Sequence, residues 1–108
     1  MEPIWRHVVQ RIENSCTVIL SGELDLSSVD ELTALFLFEA ESPATRVIRV
    51  DLAGVHFLDS SAIGALITGY KAAQACDTAF TVGGAQGYVR RVLDIAGVLP
   101  LFDGPAET

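Results

Sequence analysis

The chain has 108 residues, half of them hydrophobic, and a formal net charge of −7 from 14 acidic and 7 basic side chains. That length suits one domain around one core, and that apolar share argues against disorder. The acidic balance argues against nucleic acid, whose affinity rests on Lys and Arg neutralising phosphates, and against an anionic membrane surface.

Met1 to Arg6 shows no basic stretch leading into an apolar run, so no signal peptide is expected. No apolar run nears the ~20 residues of a bilayer span, and the cytoplasm is the expected compartment. Trp5 to Ile12 predicts a first strand, with imperfect alternation through His7, Val8, Val9 and Ile12. Glu13-Asn14-Ser15 carries turn chemistry, and Cys16 to Leu20 is a β-branched apolar run, so a hairpin is predicted. Ser21-Gly22-Glu23-Leu24-Asp25 reads as leaving the strand. Ser28 and Glu31 have the spacing of a capping box ahead of Val29, Leu32, Leu35 and Phe36, which places a helix over Val29 to Phe38.

Ser42-Pro43-Ala44-Thr45 breaks that helix. Arg46 to Leu52 is then nearly continuous in apolar residues, the pattern of a strand buried on both faces. A short loop ends in Asp59-Ser60-Ser61, and a second helix begins with Ala62 and Ile63. Ser61 is its expected N-cap, and Ile63, Leu66, Ile67 and Tyr70 mark its inner face. Phe80 to Val82 is a short strand stopped by Gly83-Gly84. Val89, Val92, Leu93 and Ala96 mark a third helix, closed by Gly97 in a left-handed cap with Val98 as its apolar contact. Leu99 to Phe102 is expected as a last edge strand, and Asp103 to Thr108 as a frayed tail. The order β-β-α-β-α-β-α predicts an α/β domain: a small mixed sheet of about four to five strands with helices packed on it.

The chemistry in these elements is sparse. Cys16 and Cys76 lack metal or Cys-x-x-Cys spacing and are expected as buried or half-buried free thiols. His7 and His56 have no partner at metal-like spacing, so no metal and no cofactor are expected. A Ser60–His56 nucleophile pair lacks the glycine-flanked elbow of a hydrolase, and Gly83 to Gly87 lacks the Lys-Ser/Thr of a phosphate loop. No enzymatic activity is expected, and Arg90 and Arg91 belong on a solvated face. Asp59-Ser60-Ser61 is different. It sets two hydroxyls where a helix starts, and a phosphate there meets unpaired amides and a partial positive charge. Asp25 and Asp59 are expected at the same end of the sheet as Ser60.

Three stretches resemble a known family. Gly22-Glu23-Leu24-Asp25 is similar to its Gly-Glu-Leu/Ile-Asp motif. Val47 to Gly64 resembles its strand, loop and phosphorylation site, Asp-Leu-x-x-Val-x-Phe-Leu/Met-Asp-Ser-Ser/Thr-Gly-Leu-Gly, and Val89 to Val98 resembles its final helix. The family is that of the anti-sigma factor antagonists, single-domain members of the STAS fold group, and the resemblance spans Trp5 to Phe102. One departure is Ala62, which stands where the family has glycine, while Gly64 keeps the second glycine.

The resemblance implies that Ser60 is the phosphate acceptor and that Asp25, Asp59, Ser61 and Gly64 meet the partner. That partner is an anti-sigma factor serine kinase with an ATP-binding fold. The unmodified chain binds it and frees the sigma factor, phosphorylation of Ser60 ends the binding, and a serine phosphatase restores it. ATP is then the kinase's substrate and not a cofactor of this chain. Two alternatives stand beside this reading: a STAS module of a lipid-transport complex or sensory scaffold, and a small enzyme with Ser60 as nucleophile.

Overall fold

Glu13 takes a left-handed φ of 55° and with Asn14 forms a two-residue turn. It joins β1 (Trp5–Ile12) to β2 (Ser15–Leu24), which pair antiparallel from Ile12–Ser15 back to Trp5–Gly22. These elements come from a computed structural model that describes residues 4–102; the expected C-terminal tail lies outside them. A 3-10 turn (Leu26–Ser28) leads into α1 (Val29–Ala40). Then follow β3 (Val47–Leu58), α2 (Ser60–Ala75), β4 (Ala79–Gly83), α3 (Gly87–Ile95) and α4 (Leu99–Phe102). The strand order is β1-β2-β3-β4, with β2, β3 and β4 mutually parallel and α1 and α2 as the crossovers. The α/β class and the mixed sheet are those expected from the pattern.

Four details differ from the sequence reading. First, β2 does not end at Leu20. Gly22 continues it at φ 93°, and a Cβ there would lie 2.2 Å from the carbonyl oxygen of Ile4. Only glycine lets the two backbones come this close, and the Glu23 amide then donates to that same carbonyl at 2.8 Å.

Second, β3 runs on to Leu58 because the lengthened β2 offers partners: Gly54 to Ser21, Val55 to Gly22, Phe57 to Glu23 and Leu58 to Leu24. It is also buried on one face only. Ile48, Val50, Leu52, Val55 and Leu58 point into the core, while Arg49, Ala53, Gly54 and His56 are exposed.

Third, the Ser28–Glu31 capping box does not form. The Ser28 hydroxyl donates to the Asp25 carbonyl at 2.7 Å, and Glu31 lies 3.7 Å from His7 Nδ1. Fourth, Leu99–Phe102 is a helical turn and not an edge strand. Gly97 at φ 76° closes α3, and the Val98 amide reaches back to the Leu93 carbonyl at 3.2 Å. Pro100 sits near the start of a helix, where its missing N–H costs nothing. Phe102 is fully buried, its ring centroid 6.2 Å from Phe80 and 6.4 Å from Tyr70.

The core lies between the sheet and the helices. Leu32 and Phe36 of α1, and Ala62, Leu66 and Ala73 of α2, are buried there with Cys16, Val18, Leu20 and Ile48 of the strands. Gly69 lets α2 sit close, since a Cβ there would lie 2.7 Å from the Phe36 ring. At the other end of α1 the carboxylate of Glu39 is wholly buried. It accepts from Arg11 of the edge strand and from the Thr45 hydroxyl at 3.2 Å. Burial works to raise the pKa of this carboxyl, but hydrogen bonds from Arg11, Cys16 and Thr45 prevail and hold it below the usual value. Burial, and then Glu39, push the Cys16 thiol up to about 11. Cys16 is buried as expected, whereas Cys76, at the C-terminus of α2, is exposed.

Candidate functional site

The last paired residues of β2 and β3 are Leu24 and Leu58. Adjacent strands lie roughly 4.8 Å apart, so the segments that follow them emerge side by side. The Asp59 amide donates to the Leu24 carbonyl at 3.2 Å and binds the two exits together. Asp25 and Asp59, the two acids expected at one end of the sheet, are therefore neighbours by construction. Each opens a helical segment in the same way. The Asp25 carboxylate accepts from the Ser27 amide at 2.9 Å and the Ser27 hydroxyl at 2.5 Å. The Asp59 carboxylate accepts from the Ala62 amide at 3.1 Å, and its carbonyl accepts from Ile63 at 3.1 Å.

Asp59, not Ser61, is thus the N-cap of α2, and the helix begins at Ser60. A carboxylate satisfies a first-turn amide and favours the positive helix end together. Strand β3 delivers Asp59 in the extended conformation a cap needs, at φ −110° and ψ −178°. Ser60 is exposed and Ser61 half-buried. Among the described residues no group bonds the Ser60 hydroxyl. The Ser60 and Ser61 amides have no acceptor within the helix. Ala62 is wholly buried, so the methyl that replaces the family's glycine faces the core beside the serines and not the solvent. Gly64 is exposed, with open space around its would-be Cβ.

His56 does not join Ser60 in a pair that any contact records; its Nε2 lies 4.0 Å from Glu23 Oε2, and it is mostly exposed. Arg90 and Arg91 are exposed, as expected. Among the described residues no three of His, Cys, Asp and Glu gather as a metal site. The site is an exposed serine beside two capping acids.

Two features of this end were passed over in the sequence. Leu26 is largely exposed in the turn that Asp25 caps, and the Tyr88 ring stacks on Phe57 with centroids 6.1 Å apart. The only sequence signal is negative: Leu26 precedes the helical period of α1, and Tyr88 lies off the Val89–Leu93 stripe of α3.

Residues 6–108 match the STAS domain family. The anti-sigma-B factor antagonist of Staphylococcus epidermidis is 31% identical over 85 residues, which span 79% of this chain and 78% of that protein. The anti-sigma factor antagonist SpoIIAA in its unphosphorylated form has the same fold, with a TM-score of 0.80 at 20% identity, over 94% of this chain and 90% of that one. The Bacillus cell fate determinant SpoIIAA in its phosphorylated form gives a TM-score of 0.73 at 19% identity, over 94% and 92%. The chain belongs to the STAS domain family and, within it, to the anti-sigma factor antagonists.

Proposed function

We propose that this antagonist works as a phosphorylation switch at Ser60. The unmodified chain binds an anti-sigma factor serine kinase and thereby frees a sigma factor. The kinase transfers phosphate from ATP to Ser60, the complex separates, and a serine phosphatase restores the binding form. The observation that carries this reading is the exposed Ser60 hydroxyl at the first position of α2, beside two capping aspartates. A phosphate adds about −1.5 to −2 charges. The free amides of the first helical turn accommodate it without refolding. Within a contact it repels acidic groups and is poorly solvated, on a surface already acidic at Asp25 and Asp59.

In this reading the chain contributes no catalytic group and needs no cofactor. It acts in the cytoplasm and meets neither nucleic acid nor membrane. No helix among the described residues is long and apolar enough to cross a bilayer.

The test is incubation with the kinase and ATP, followed by peptide mass spectrometry. One phosphate on Ser60 is expected. Phosphate found only on Ser27, Ser28 or Ser61 overturns the assignment. Labelling of Ser60 by a reagent for nucleophilic serines would move the chain toward an enzymatic role.

A further inference from the structure

The end of the sheet that carries Ser60 also carries side chains that a switch at Ser60 does not by itself require. Leu26 is 71% exposed and Tyr88 52% exposed. The backbone at Leu26 and the ring of Tyr88 are held in place. Asp25 receives four hydrogen bonds from its own turn: the Ser27 amide and hydroxyl on its carboxylate, and the Ser28 amide and hydroxyl on its carbonyl. Leu26 is the first residue of that turn. The Tyr88 ring lies on the Phe57 ring with 11° between their planes, and Phe57 stands in β3 three residues ahead of Ser60, opposite Glu23. Apolar groups fixed before binding lose little freedom when they are covered.

The charge around them is mostly negative. From Ile12 to Thr45, and again from Val50 to Tyr70, the chain has no Lys or Arg. Those stretches supply both strand exits, the 3-10 turn and the start of α2, and at this end they carry Glu23, Asp25 and Asp59. Basic charge enters at the flanks, from Arg90 and Arg91 after Tyr88 on α3 and from Arg6 on β1, opposite Ser21. Single exposed apolar residues need no explanation. Here two accompany a mostly acidic surface, which is the composition of an interface with apolar anchors and a charged rim.

We propose that Leu26 and the Tyr88–Phe57 pair are the apolar anchors of the contact around Ser60, and that the protein they fit presents two apolar recesses and basic groups placed for Glu23, Asp25 and Asp59, with none to pair a phosphate at Ser60. The inference rests on the functional reading above and adds the groups that hold the partner. Asp25, Asp59 and Glu23 steer the encounter, and the anchors set how long the complex lasts. Tyr88 is the stronger anchor, since tyrosine carries large contact area at small entropic cost.

The test uses the full chain and, as probe, the purified serine kinase that phosphorylates Ser60, with binding followed by surface plasmon resonance. Leu26→Ser and Tyr88→Ala are each expected to weaken binding by about tenfold or more through faster dissociation, with association and its salt dependence unchanged. Tyr88→Phe keeps the ring and stays within about threefold of wild type. Phe38→Ser is the control: Phe38 is 66% exposed but lies about 14 Å along α1 from its start, and its loss changes binding by no more than about twofold. Hydrogen exchange on the wild-type complex gives a readout free of any variant, with protection expected at residues 26–28 and 87–89. Anchor variants that bind like wild type, an equal loss for Phe38→Ser, or no protection at those amides overturns the anchors alone. A wild-type chain bound by no such kinase overturns the functional reading and the anchors with it.

Discussion

Glu39→Gln is the substitution whose effect the structure specifies most closely. The carboxylate is wholly buried and accepts from Arg11, from Thr45 and from the Cys16 thiol. Glutamine fills the same volume but keeps one acceptor oxygen and turns an NH2 toward a neighbour that also donates. One charge-assisted bond is lost and one buried donor is left facing another, which costs about 1–3 kcal/mol. Larger losses follow when a buried charge is stranded; here the side chain of Arg11 is 54% exposed and turns to water, so the lower range applies.

The pH dependence has a definite sign. The folded pKa of Glu39 is depressed below 4.5, so its stabilisation is full above the unfolded pKa. It is lost as pH falls through the folded pKa. Urea melts of wild type and Glu39→Gln at about pH 7 and about pH 3.5 should therefore show a gap that narrows in acid. A gap that is constant or widens on acidification, or one below about 0.5 kcal/mol at neutral pH, refutes the reasoning.

Ser60→Ala should retain the fold and the kinase contact, whereas Ser60→Asp should bind more weakly by roughly 1–3 kcal/mol through an unpaired charge in the contact; equal affinities by calorimetry would contradict this. Asp25→Ala removes the acceptor for the Ser27 amide and hydroxyl and should cost about 1 kcal/mol in urea melts; unchanged stability removes Asp25 as a cap. Two glycines of α2 should respond oppositely to alanine. Gly64→Ala meets open space and should stabilise by about 0.5–1 kcal/mol, while Gly69→Ala strikes the Phe36 and Phe80 rings and should destabilise by about 1–3 kcal/mol. Thermal melts that move both variants the same way refute the packing argument.

The helical faces are legible in the sequence. Leu32 and Phe36, Ile63 and Leu66, and Val89 and Leu93 recur at helical spacing, and all are buried. The Asp59-Ser60-Ser61 stretch is likewise found at the start of α2, and Asp25 beside it. What is not legible depends on distant partners. Ala53-Gly54 looks like a strand break, and only the pairing of Gly54 with Ser21 and of Val55 with Gly22 keeps the strand in the sheet. Asp59 and Ser61 are equally good caps by type; the length of β3 decides between them by bringing Asp59 out extended. Leu99–Phe102 is too short to show a period, and its state follows from where Phe102 is buried. Leu26 and Tyr88 lie outside every periodic stripe, so no pattern marks them before the surface is seen.

The register of the sheet bears on how the chain folds. The β1–β2 turn needs only local contacts, whose closure takes about 1–10 μs. Each parallel pairing, by contrast, joins residues 32 positions apart, as in Ser15 with Val47 and Val47 with Ala79. Closing a loop of that length costs about 3 kcal/mol, and the two closures are equal. The second carries fewer rungs, because β4 meets β3 along five residues while β2 meets it along nearly its whole length. The expected order is therefore hairpin, then β3 with α1, then β4 with α2. Rate analysis of core truncations should show Val18 more consolidated than Phe80 in the transition state, and the reverse ranking would overturn this order.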